Sequence, residues 1–176
     1  ITDAPLVETR GITVDAPMAA VWPWLVQMGY GRGGWYSYDK MDNDAASADR
    51  ILPEFQTLSV GDVMPTWPGG GFQVAAMEPG RSLVLYLDSA IIKEQQAASE
   101  QSLPEPVTPG IKAAGAMGDA AMPDFKATWA FSLEPIDDHR TRVVERLRAW
   151  TPDAAGMQKL ALPVFGSSGS WGRASG

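Results

Sequence analysis

One carboxylate stands out for where its spacing puts it. In Arg142-Val143-Val144-Glu145-Arg146-Leu147-Arg148, the apolar Val143 and Leu147 alternate with three arginines. A strand sends successive side chains to opposite faces, so Glu145 shares the inward face with Val143 and Leu147. An inward carboxylate needs a partner or holds a proton. Two roles follow: a general acid or base beside a ligand, or a structural ion pair with Arg32 or Arg50. A register different by one residue leaves Glu145 simply exposed.

A second group of chemically capable residues gathers in Gly29-Tyr30-Gly31-Arg32-Gly33-Gly34-Trp35-Tyr36-Ser37-Tyr38-Asp39. The glycines permit unusual dihedrals, and the run reads as a shaped loop leading into a short helix. Asp39 is either a base beside a ligand or the cap of that helix. Arg32, Tyr36 and Tyr38 are donors able to steady an enolate oxygen if Asp39 or Glu145 removes a proton. No Gly-Lys-Ser/Thr follows and no strand precedes, which argues against a phosphate loop. Asp49-Arg50, ahead of Ile51-Leu52-Pro53, reads as a loop clamp, with Arg50 a candidate ligand contact. Trp24, Trp35, Tyr36, Tyr38, Trp67, Phe72 and Trp129 are candidates for the wall of an apolar cavity, with plain core packing the alternative for each.

Much common catalysis is excluded by inventory. The chain has no Cys, and its one histidine, His139, falls in a polar Asp138-His139-Arg140 turn. Disulfides, thiolate zinc sites, a cysteine nucleophile and a two-histidine metal cluster are therefore out, and nothing calls for a metal or a cofactor.

The elements that must position these groups read as one domain spanning all 176 residues. Residues 9–15 alternate as a half-buried strand and run into a helix with Asp15 as N-cap and Pro17 in its first turn. Met18, Val21, Leu25 and Met28 form its apolar face, Gly29 stops it, and Pro23 predicts a kink or break between Trp22 and Trp24. Strands follow at 60–64, 72–77 and 82–88, with Trp67-Pro68-Gly69-Gly70-Gly71 as a hairpin link and Glu78-Pro79-Gly80-Arg81 as a tight turn. Residues 90–124 read as an irregular insertion or lid. Two more strands, at 125–133 and 142–150, flank a turn at Pro135-Ile136-Asp137-Asp138. A weak helix over 152–162 and a flexible tail at 163–176 close the chain. Helices gathered against antiparallel strands make an α+β domain.

This order resembles the START-like, or SRPBCC, superfamily. The likeness rests on Val14-Asp15-Ala16-Pro17 before Ala20-Val21-Trp22-Pro23-Trp24-Leu25, on Glu78-Pro79-Gly80-Arg81, and on Trp129-Ala130-Phe131-Ser132-Leu133-Glu134-Pro135. The aromatic loop with Ser47-Ala48-Asp49-Arg50-Ile51-Leu52-Pro53 is similar to an uncharacterised bacterial branch of it. The resemblance implies a helix-grip fold: two short helices after strand 1, and a curved antiparallel sheet wrapped around a C-terminal helix, enclosing a hydrophobic cavity. It also implies relatives among lipid carriers, hormone-binding proteins and polyketide cyclases or dehydratases.

Charge and composition narrow the partners. A net charge of −7 lacks the footprint of a phosphate-backbone binder, so nucleic acid is not expected. No apolar run approaches the roughly 18 residues of a membrane span. The chain opens on Ile1 and leaves room for a removed leader or anchor; localisation stays open, with the cytoplasm favoured. Seven Trp and eight Met in one domain suit a greasy or aromatic ligand. The reading is thus a carrier or sensor for a small hydrophobic or aromatic molecule; the alternative is a cyclase or dehydratase using a cavity carboxylate with Arg and Tyr.

Overall fold

The computed structural model describes residues 1–36, 46–100 and 124–152. Strand β1 (Leu6–Val14) leads to helix α1 (Met18–Val26) and a single 3-10 turn at Pro53–Phe55; β2 (Val63–Trp67), β3 (Gly70–Glu78) and β4 (Ser82–Asp88) follow. Helix α2 (Ser89–Glu100) comes next, then β5 (Lys126–Asp137) and β6 (Arg140–Trp150). All strands join one antiparallel sheet in the order β1-β6-β5-β4-β3-β2. The α+β class is that of the sequence reading.

Period-two patterning sorts the sheet into two faces. Phe72, Val74, Leu83, Leu85, Phe131, Leu133 and Leu147 are buried on one, while Arg142 and Arg146 lie exposed on the other. Helix α1 packs on β5 and β6, adding Val21, Leu25 and Val26 to the core, and Thr141 Oγ1 donates to the Ala16 carbonyl at 2.7 Å where the chain enters that helix. The Asp15 cap is not formed. The cap position falls to extended Pro17, whose carbonyl receives the N–H groups of Ala20 and Val21, and α1 runs through Pro23 without a break.

Three boundaries move for physical reasons. Trp67 and Gly70 belong to β2 and β3, so the link between them shrinks to two residues; Pro65 fits because β2 is an edge strand with a bulge there. Strand β5 runs past Pro135 through a second bulge, which moves the turn to Asp138 and His139. Most informative is α2. The start of the supposed irregular insertion is helical, because Ala, Gln and Glu are strong helix formers and Asp88 supplies an N-cap. Residues 101–123 of that insertion, and residues 153–176, where the sequence predicts a weak helix and a flexible tail, lie outside the described residues.

Gln95 then ties α2 into the sheet. Its amide both donates to the Gly71 carbonyl and accepts from the Gly71 N–H, each at 3.0 Å, as the backbone of a neighbouring strand would. Gly71 tolerates this crowding only without a side chain, since a Cβ there would run into the Met64 carbonyl and the backbone of Pro65 and Thr66.

The Asp88 cap gives a pH dependence. Its Oδ1 accepts from the Ile91 N–H at 2.8 Å and its Oδ2 from the Tyr86 hydroxyl at 2.9 Å. Burial pushes the carboxyl up. The hydrogen bonds from Ile91, Tyr86 and Ala90 and the charge of Lys126 outweigh burial and hold it below the ordinary range. Burial, then the bond to Asp88 and its charge, push the Tyr86 phenol up to about 12. A depressed carboxyl contributes stability that is complete above its unfolded value near 4 and lost as the pH falls through the folded one. Exposure limits this to less than about 1 kcal/mol. The protection factor of the Ile91 amide, its exchange relative to the intrinsic rate at each pH, should therefore fall in acid, and Asp88→Asn should remove that response; an unchanged response in the variant assigns it elsewhere.

Candidate functional site

Loop and sheet build an aromatic wall together. Trp35 leaves the glycine loop and stacks on Trp129 of β5, ring centroids 5.2 Å apart and 17° from parallel. Phe131 and Phe72 tilt against Trp129 at 5.1 and 5.9 Å. The phenylalanines are buried, while the two indoles stay partly open. Trp129 Nε1 donates to Glu145 Oε1 at 2.8 Å. The carboxylate thus lies on the inward face, as its spacing predicted, but its partner is neither Arg32 nor Arg50. In register Glu145 stands opposite Phe131, and Trp129, two residues along, reaches it diagonally. Arg10 stands opposite Glu145 on β1 and is ion-paired with Glu8 at 3.3 Å.

The other predicted residues assemble a second, structural cluster around Gln27, a side chain with no exposed surface. Its amide nitrogen donates to the Tyr36 hydroxyl at 2.8 Å and to the Arg50 carbonyl at 3.1 Å. Its oxygen accepts from the Leu52 N–H at 2.9 Å and from Gln56 Nε2 at 3.3 Å. Gly33 closes on this group, its N–H bonded to the Gln27 carbonyl, and a Cβ there would stand 2.8 Å from that oxygen. Trp24 packs edge-on against Tyr36 at 5.7 Å. Burial pushes the Tyr36 phenol up, opposed by its bond to Gln27. Arg50 contributes its backbone here, and its side chain is exposed.

Arg32 is held to the chain itself through Nε and Nη2. Its guanidinium donates to the carbonyls of Met28, Val26 and Phe55 at 3.0–3.1 Å and lies 4.6 Å from the centre of the Phe55 ring. It closes the carbonyl end of α1 and pins the 3-10 turn beneath it. Burial lowers its affinity for the proton, opposed by the charge of Asp62. Trp67 packs across Gly70 and against the same core. Tyr38 and Asp39 lie outside the described residues.

Tyr36 divides the two clusters. Its φ of 56° is left-handed, a conformation that costs a non-glycine residue about 1 kcal/mol or more. It turns the chain so that consecutive aromatic side chains serve different partners, Trp35 the sheet and Tyr36 the amide. Sequence reasoning missed Gln27 and Phe131; the signal for Gln27 was one amide inside the apolar Val21-Trp22-Pro23-Trp24-Leu25-Val26-Gln27-Met28 run.

No family model matches the chain, and no curated protein does. Two of the solved structures that resemble it are as follows. A conserved protein from Geobacillus kaustophilus is 14% identical with a TM-score of 0.40, covering 89% of this chain and 83% of that one. A protein from Thermobifida fusca, solved by solution NMR, is 16% identical with a TM-score of 0.41, covering 88% and 80%. Among the described residues no helix is long and apolar enough to cross a membrane, and no three His, Asp or Glu side chains gather as metal ligands.

On the opposite sheet face, Ala130, Ser132, Glu134, Val144 and Arg146 line an open groove of about 250 Å³. It holds no aromatic ring and shares no residue with the wall.

Proposed function

We propose that this protein binds a small hydrophobic or aromatic molecule against the buried face of its sheet, in a cavity of the helix-grip kind that START-like domains have. The observation that carries the reading is the Trp35–Trp129 stack: two partly open indoles, backed by buried Phe72 and Phe131, with one carboxylate beside them. Stacked indoles offer a large rigid surface that loses little freedom on contact with a flat ligand. Glu145 provides a polar acceptor that orients a ligand hydroxyl or amine.

Arg32 and Tyr36 favour binding over cyclase or dehydratase chemistry. Both were the donors expected to steady an enolate; Arg32 gives Nε and Nη2 to chain carbonyls, and the Tyr36 hydroxyl is turned to Gln27, whose amide donates to it. Among the described residues Glu145 is the candidate base of the catalytic alternative; Asp39 and Tyr38 lie outside them.

A titration with Nile red, followed by its emission and by tryptophan quenching, should saturate near one molecule per chain. Trp35→Ala should weaken binding about tenfold, equivalent to roughly 1.4 kcal/mol of lost contact. No saturable binding, or saturable binding that Trp35→Ala leaves unchanged, overturns the assignment of the wall. Glu145→Gln keeps an oxygen for the Trp129 N–H. The binding reading expects it to shift ligand preference at nearly unchanged stability.

A further inference from the structure

The two edges of the sheet are treated differently. At β2, Pro65 removes a donor, a bulge breaks the register, and the Pro65 carbonyl is taken by the Tyr30 N–H at 2.7 Å. Such features keep an edge from pairing. β1 has none of them: nine residues without proline run in unbroken register along β6. Among the described residues no strand lies along its other side. Val7 is 51% exposed, and Thr9, Arg10, Gly11 and Thr13 are exposed as well. A long regular edge is a template for another strand.

We infer that β1 pairs antiparallel with β1 of a second copy of this chain, around a two-fold axis at Thr9. The charges select that register. Glu8 and Arg10 lie on one face, two residues apart, already ion-paired within the chain. An axis at Thr9 sets each Glu8 opposite Arg10 of the other copy and each Leu6 opposite Ile12, all on the buried face, with Val7 opposite Gly11 outside. An axis at Glu8 or at Arg10 sets like charges opposite each other, which is destabilising. An axis between residues turns one buried face to the solvent side. A symmetric pair of this kind is self-complementary, as a two-fold interface must be. One strand pair buries less than the roughly 1,000 Å² of a lasting interface, so the dimer should be reversible and concentration-dependent.

The test uses the absence of native cysteine. Opposed residues in antiparallel strands have Cα atoms about 4.5–5.5 Å apart, within disulfide reach. Under mild oxidation, Thr9→Cys should form a covalent dimer at least about tenfold faster than Thr13→Cys, which is also exposed but off the axis. By sedimentation equilibrium the unmodified chain should dimerise with concentration. Glu8→Arg should abolish this while retaining the wild-type circular dichroism, and Glu8→Arg with Arg10→Glu should restore it. Equal crosslinking at 9 and 13, a monomer at every concentration, or a dimer indifferent to Glu8→Arg each overturns the proposal. If Glu8→Arg fails to fold, the crosslinking comparison alone decides.

Discussion

Replacing Gln27 with leucine should lower the stability of the domain by about 3–5 kcal/mol, read as a lower urea midpoint at unchanged slope. Leucine matches the bulk of the amide and bonds to nothing. The Leu52 N–H, the Arg50 carbonyl and the Tyr36 hydroxyl are then left in a dry site without the partner that each has now. An unmade bond of this kind costs about 1–3 kcal/mol, more than a made one contributes. Gln27→Glu sharpens the test through its sign. An ionised carboxylate faces the Arg50 carbonyl where an N–H₂ stood, so the buried acid should hold its proton well above the usual range. A raised folded pKa gives stability that is present in acid and lost as the pH rises through it. Gln27→Glu should therefore be more stable at pH 4 than at pH 8. A loss under about 1 kcal/mol for Gln27→Leu would mean that water replaces the amide.

Trp129→Ala should be the most damaging change on the aromatic wall, at about 3–4 kcal/mol. Its ring contacts Trp35, Phe72 and Phe131 together, so truncation opens a hole bordered by three rings. Trp129→Phe separates packing from hydrogen bonding. It keeps an apolar ring and removes the N–H that Glu145 accepts, which should cost about 1–2 kcal/mol. Equal losses for both variants would place the energy in the hydrogen bond instead of the stack. A loss below about 1 kcal/mol for Trp129→Ala would show that the wall contributes little to the fold.

How far the sequence could be read depended on the range of the signal. β4 lies over residues 82–88 as its alternation indicates, since each of its side chains meets a different face. The face of Glu145 follows from the same rule. Its partner does not: an inward residue has several neighbours on adjacent strands, and only register makes the diagonal Trp129 the one in reach. Helix α2 is hidden by the irregular composition of residues 90–124 taken as a whole, although its own Ala, Gln and Glu are helix formers behind Asp88. The Gln27 cluster was least legible. Its partners lie 9 to 29 residues away in loops without periodicity, so an amide in an apolar helix was the one trace of it. Arg32 shows a related blindness, because an arginine held by three carbonyls and one beside a ligand look alike in sequence.

The strand order also sets a timetable for synthesis. Among the described strands β1 is made first, and its one partner within the chain, β6, is made last; Thr9 and Arg146, bonded across that junction, stand 137 residues apart. At roughly 5–20 residues per second, a ribosome needs about 7–30 s to travel that distance. Throughout that interval β1 has no mate among the described strands, while β2, β3 and β5 pair with strands close behind them. The pairing of β1 with β6 joins the first and last of the described strands in sequence, at the largest loop-entropy cost among the described strand pairs. The nascent chain thus passes through a stage in which Leu6–Val14 is available to chaperones and to neighbouring chains on the same message.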